Sequence, residues 1–173
     1  MTTSLSTESA APAAVEDFNA LRPRFIYVSY HVNDIERALA FYVGVLGMKE
    51  QLRVPLGKGE HEVVLGFPES KSAGVILMWN TERKTPYVPG DAYSRFILSV
   101  SDIDAALAHL ARHGTSASLP VTDAGRFRYA MVKDPDGYLI ELLQTKTLSR
   151  PGKHGRRISP STSRGVGRGS RDR

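Results

Sequence analysis

The sequence predicts an α+β protein built from two βαβββ modules that together form a curved eight-stranded mixed sheet. Three observations predict it: an internal repeat, an amphipathic helix within each copy, and strand-like runs in the same order around each helix. HVNDIERALAFY, from His31, matches SVSDIDAALAHL, from Ser99, at a constant offset of 68 residues. Val32, Asp34, Ile35, Ala38, Leu39 and Ala40 thereby correspond to Val100, Asp102, Ile103, Ala106, Leu107 and Ala108. A unit of this length occurring only twice does not make a solenoid. It suggests one supersecondary unit duplicated about a pseudo-twofold axis.

The first strand of each copy is expected at Phe25–Val32 and Tyr93–Val100. Side chains alternate across a strand, so Ile26, Val28, Tyr30 and Val32 share one face, and Tyr27, Ser29 and His31 the other. In the second copy Phe96, Leu98 and Val100 stand opposite Arg95, Ile97 and Ser99. The apolar faces belong under the helices. The more polar faces are expected to line a trough for a small organic ligand.

The first helix is expected to start at Asn33 as N-cap, with Glu36 three residues on as its capping partner. Ile35, Ala38, Leu39, Tyr42 and Leu46 then recur at helical spacing, and Gly47 supplies the left-handed stop. The second helix takes Ser101 as cap, Ile103, Ala106, Leu107 and Leu110 as its stripe, and Gly114 as its end. The remaining strands are expected at Lys49–Val54, His61–Phe67 and Gly74–Trp79, then at Ala117–Val121, Phe127–Val132 and Tyr138–Leu143. Asn80–Gly90 reads as the linker between modules, and DPDG at Asp134–Gly137 as a turn without chemistry.

At 173 residues the chain suits one ordinary domain. It is expected over 23–146, with modules at about 24–80 and 91–145, between disordered tails at 1–22 and 147–173. Cysteine is absent, which excludes disulfides, thiolate nucleophiles and cysteine-based metal sites. No apolar run approaches the ~20 residues of a membrane span. The first residues lack the basic start and apolar core of a secretory signal, so a cytoplasmic protein without a membrane partner is expected. The net charge of +5 belongs to the end of the chain: eight basic residues against one acid between Leu148 and Arg173 leave the remainder at −2. That Gly-, Ser- and Arg-rich tail has weak electrostatic attraction to nucleic acid as its functional reading and a plain solvated tail as the other. Without aromatic residues to stack on bases, no nucleic-acid partner is expected.

FYVGVLGMK at Phe41–Lys49, GDAYSRFILSV at Gly90–Val100 and KDPDGYLIEL at Lys133–Leu142 resemble glyoxalase I (lactoylglutathione lyase) and the vicinal oxygen chelate superfamily around it. The likeness runs from about Arg24 to Thr145. It implies the paired βαβββ fold, usually a homodimer, and a divalent metal such as nickel, zinc, manganese or iron in an open site on the concave face. Carried over, the family's four ligand positions on the first and fourth strands fall on Tyr27, Leu77, Arg95 and Glu141. The repeat agrees, pairing Tyr27 with Arg95 and, through VILMW and LIELL, Leu77 with Glu141.

Glu141 alone is of ligand type. Leu77 cannot coordinate, and the permanent charge of Arg95 repels a cation. No metal is therefore expected at the usual place, and a shifted site through His31, His61 or Glu62 shows no ligand-pair spacing. Arg95 and Glu141 are expected to pair. One reading is a structural ion pair. In the other, Arg95 anchors an anionic or carbonyl group while Glu141 serves as general base and Tyr27 as acid or donor. His31 and Ser29 on the polar face, Leu77, Trp79, Arg126 and Arg128 are the candidate substrate contacts, with solvated strand faces the other reading of the two arginines. Trp79, Tyr87 and Tyr93 read as pocket lining or as core or interface residues. The expected function is a lyase, isomerase or epimerase acting on a small carbonyl compound or its thiol adduct. The alternative is a metal-free binding protein of the bleomycin-resistance type.

Overall fold

The computed structural model describes residues 17–70 and 73–146. The expected tail at 147–173 and residues 1–16 of the other lie outside the described residues. Within the segment expected as N-terminal tail, Phe18–Leu21 forms a 3-10 turn, capped by the Asp17 side chain accepting from the Asn19 N–H at 2.9 Å.

Each module has the expected order. The first runs β1 (Tyr27–His31), α1 (Ile35–Leu39), β2 (Lys49–Gly57), β3 (Glu60–Gly66) and β4 (Gly74–Asn80). The second runs β5 (Phe96–Ser99), α2 (Ile103–Arg112), β6 (Ala117–Ala124), β7 (Phe127–Lys133) and β8 (Leu139–Thr145). The eight strands make two four-stranded sheets, ordered β1-β4-β3-β2 and β5-β8-β7-β6. In both sheets the first and fourth strands of the module are parallel neighbours, and the other pairs are antiparallel.

The helix caps differ from expectation by one residue in both copies. Asp34 accepts from the Arg37 N–H at 3.0 Å, and Asp102 from the Ala105 N–H at 3.0 Å. A carboxylate at N-cap satisfies an orphan N–H and also faces the positive end of the helix, so it displaces Asn33 and Ser101 from that role. Asn33 is free to bridge the modules instead, donating to the Asp136 side chain at 2.9 Å and to the Tyr87 carbonyl at 3.0 Å. Gly47 and Gly114, at φ +77° and +79°, end the helices as the sequence predicts.

The first helix does not stay α-helical. Over Ala40–Val45 it widens into a π-helix, with the Leu46 N–H donating to the Phe41 carbonyl at 2.9 Å. The wider turn changes the phase of the side chains, so that the sequence neighbours Phe41 and Tyr42 are both buried.

One core serves both modules. Tyr30, Val63 and Leu77 from the first sheet join Val132, Ile140 and Leu142 from the second, together with Tyr42, Ile103 and Leu110 from the helical segments. Tyr30 stands at the centre, 4.7 Å from Tyr138 and 6.3 Å from Phe96, centroid to centroid. A buried chain of hydrogen bonds crosses the same boundary. The Tyr30 hydroxyl donates to that of Tyr42 at 2.7 Å, which donates to the Asp134 carboxylate at 2.8 Å, while the Tyr138 hydroxyl caps the His31 carbonyl at 2.8 Å. The DPDG turn, read from the sequence as a simple reversal, is thus the clasp that fixes the second module to the first.

Candidate functional site

Strand parity decides which side chains can share a site. With the helix-side faces of both sheets committed to the common core, the opposite faces look outward. On the first sheet, Leu52, Val64, Ile76 and Ser29 form one row across the strands. On the second, Leu119, Met131, Glu141 and Ile97 form the matching row. The registers Ser29↔Ile76 and Ile97↔Glu141, with Ser29 and Ile97 related by the 68-residue repeat, make Ile76 the counterpart of Glu141.

This corrects the pairing of Leu77 with Glu141. A slip of one residue along a strand carries a side chain to the other face. Leu77 lies beside Tyr30 and Val63 and is fully buried in the core. Trp79 shares the helix-side face and is stacked on His61 at 5.0 Å, under the guanidinium of Arg53. It packs against the core rather than on the outward face.

Glu141 does lie on the outward face, yet it is only 6% exposed. The Nε of Arg95 donates to its carboxylate, and the Arg95 Nη1 holds the Ser94 hydroxyl at 3.1 Å. Arg95 itself is 40% exposed. The result is a carboxylate sunk in a sheet, with a positively charged group over it that solvent or a solute can reach.

Tyr27 is not part of that cluster. Its hydroxyl donates to Gln51 at 3.0 Å, and both side chains lie over glycines that leave them room. A Cβ on Gly66 would come within 2.4 Å of the Gln51 amide, and one on Gly74 within 2.2 Å of the Leu65 carbonyl oxygen and 3.1 Å of the Tyr27 ring. Ser29 is exposed on the same outward face. His31 stacks on Tyr87 at 4.3 Å, with its Nε2 at 3.9 Å from Glu60. His61 turns the other way, towards Trp79. Among the described residues, no three His, Asp or Glu side chains come together as a metal-binding group.

The two remaining arginines are also away from Glu141. Arg128 points to the helix side, where Asp104 of α2 accepts from both Nη atoms at 2.8 and 3.1 Å. That hydrogen-bonded pair holds the Asp104 carboxyl below its usual value. Arg126 stands in the turn after β6, over the ring of Phe127. Tyr93 packs edge-on against Tyr138 at 5.0 Å and caps the Leu139 carbonyl, so it belongs to the core.

Sequence reasoning missed Gln51 and Asp136. Gln51 sits where the β2–β3 register shifts, and a bulge leaves no mark in residue pattern. Asp136 accepts from Asn33 and Arg37 across the module boundary, a contact only the tertiary fold creates.

Comparison with known proteins places these features in a family. A family model described as the Glyoxalase/Bleomycin resistance protein/Dioxygenase superfamily matches residues 24–142. A probable lactoylglutathione lyase of Vibrio parahaemolyticus is 36% identical over 133 residues, covering 73% of this chain and 94% of the relative. The glyoxalase I of Leishmania major, described as trypanothione-dependent, superposes with a TM-score of 0.61 at 30% identity, over 70% of this chain and 86% of that one. An antibiotic binding protein from a Streptomyces species superposes with a TM-score of 0.56 at 27% identity, over 72% and 97%.

Proposed function

Because this chain belongs to the glyoxalase/bleomycin resistance protein/dioxygenase superfamily, we propose that it is an enzyme of glyoxalase type, moving a proton next to the carbonyl of a small compound or of its thiol adduct. The observation that carries this reading is the Arg95–Glu141 pair, a buried carboxylate under a reachable guanidinium. An anionic or carbonyl oxygen that takes the guanidinium for itself releases Glu141 from its ion pair. Arg95 then steadies the negative charge that develops on that oxygen, and Glu141 accepts the proton from the adjacent carbon and returns it to the neighbouring one. Exclusion of water from the 6%-exposed carboxylate strengthens both interactions.

The donor set does not fit the divalent metal that the family implies. Glu141 is already bonded to a cation, Arg95 repels another, and Ile76, the residue that answers Glu141 on the first sheet, has no donor atom.

A homodimer is part of the same proposal. In one chain the outward face bearing Tyr27 and the one bearing Arg95 and Glu141 belong to different sheets that share their helix sides. A second copy is what brings Tyr27 of one protomer towards Glu141 of its partner. Ile97 and Leu119, 51% and 39% exposed in the row of Glu141, and Leu52, 55% exposed in the facing row, are the apolar surface such contact would cover.

The second reading is a protein that binds a small molecule without turnover. It is favoured by the apolar company of Glu141, namely Met131, Ile97 and Leu119, and by the likeness to the antibiotic binding protein. Metal analysis of the purified protein, with the glutathione–methylglyoxal hemithioacetal as substrate in deuterated water, separates the two. Turnover, or solvent deuterium entering the substrate, supports the enzyme. Tight binding with neither, before and after addition of nickel or zinc, leaves the binding protein.

A further inference from the structure

We propose that the chain has a second ligand site, apart from the Arg95–Glu141 pair: the cavity between the two modules, which reaches Ile97 and Ser99 on the edge strand β5 and takes a neutral, apolar small molecule. The cavity has a volume of about 780 Å³. It is framed by the helix-side residues Val28 and Val75 of the first module, Leu98 and Leu142 of the second, the end of the π-helix at Val45, and Ala106 of α2. The cavity opens to solvent beside Phe25, which is 77% exposed. A space of this size lies within the roughly 300–1,000 Å³ of small-molecule pockets.

Its chemistry selects the occupant. Among the described residues, no Asp, Glu, Lys or Arg lines it, and His109, Ser70 and Ser99 are its polar lining. The His109 Nε2 is committed to the Val45 carbonyl at 2.9 Å, a bond that ties α2 to the π-helix across the cavity wall. Ordered water needs two to four polar partners, so a wall short of them gives up its water readily to an apolar solute. A charged ligand would lose its hydration without compensation. An alkyl or aromatic molecule loses none, and covers apolar wall on both modules at once. The π-helix is part of the device: its wide turn brings Val45 and Leu46 to the lining while Phe41 and Tyr42 stay in the core.

This site does not depend on the reading of Glu141, and its test keeps them apart. The full-length protein is titrated with the neutral fluorescent dye N-phenylnaphthylamine, with binding read as emission. Saturable one-site binding is expected. Ala106→Trp, which fills the cavity from α2, should weaken it at least tenfold while raising the melting temperature, because the indole occupies empty space. Glu141→Gln should bind the dye as the parent does. If Ala106→Trp does not fold, Val100→Phe fills the same space from the position just after β5. No saturable binding to the parent, full binding to a folded filled variant, or loss of binding in Glu141→Gln would each overturn the proposal.

Discussion

Glu141 sits in a β-sheet between Met131 and Ile97, and the bond to Arg95 is what makes that position tolerable. A buried carboxylate stripped of its partner keeps its desolvation penalty and loses the compensation. Arg95→Leu is therefore expected to lower unfolding free energy by about 1–3 kcal/mol, measured by urea denaturation. The double variant Arg95→Leu with Glu141→Leu should recover most of that loss, since replacing both charges with apolar groups removes the penalty together with the bond. Glu141→Gln keeps the shape and a polar partner for Arg95. It should hold the melting temperature close to the parent while lowering any proton-transfer rate by about 100-fold or more. An unchanged rate would make Glu141 a structural residue. Asp134 gives a second contrast. Burial raises its carboxyl above the ordinary value, against the hydrogen bonds from Tyr42 and from the Tyr138 backbone. The folded chain thus holds that proton more tightly than the unfolded chain. Its stabilisation is whole below the unfolded carboxylate value and is lost as pH rises through the raised folded one. Compared with Asp134→Asn across a pH series in urea, the parent should lose stability in that window, and parallel curves would contradict the assignment.

At the level of elements, two aspartates at matching positions start the two helices, and their bonds are of equal length. Asp34→Ala and Asp102→Ala should each cost about 0.5–2 kcal/mol, whereas Ser101→Ala should stay within about 0.5 kcal/mol; calorimetry of the three variants checks the ranking. The residue before the first cap has another duty. Asn33 reaches Asp136 and Tyr87 from the mouth of α1, so its removal loosens the module boundary rather than the helix. Helix stripes were legible because a helix repeats its buried face every three to four residues: Ile103 and Leu110 are buried as the pattern requires. The π-helix was not. Its sequence keeps a helical stripe through Tyr42 and Leu46, and the widened turn that buries Phe41 beside Tyr42 leaves no mark in that stripe. Strand positions were legible to within a few residues, but β2 and β6 run on to Gly57 and Ala124, where the neighbouring strands supply partners that no local signal announces.

For the whole molecule, the packing of the two modules matters most. They turn their helix-covered faces to each other, so one chain presents Tyr27 and Glu141 on outward faces of different sheets. Sedimentation is expected to show a dimer, and Ile97→Arg, placing a charge in the row of Glu141, should yield monomers that keep their circular dichroism and lose activity. A parent chain that sediments as a monomer with full activity would remove the shared site. The sequence by itself determined the duplicated βαβββ order, the two helix stripes with their glycine stops, and the meeting of Arg95 with Glu141. The first two follow from periodicity and the repeat, and the third from the resemblance that sets both residues among the family's ligand positions. Only the tertiary structure decided that Ile76, not Leu77, answers Glu141, that Trp79 and Arg128 turn to the helix side, and that the DPDG turn clasps the two halves. The physical reason is that the face of a strand residue changes with every step of register, and register is set by hydrogen-bonded neighbours far away in the chain.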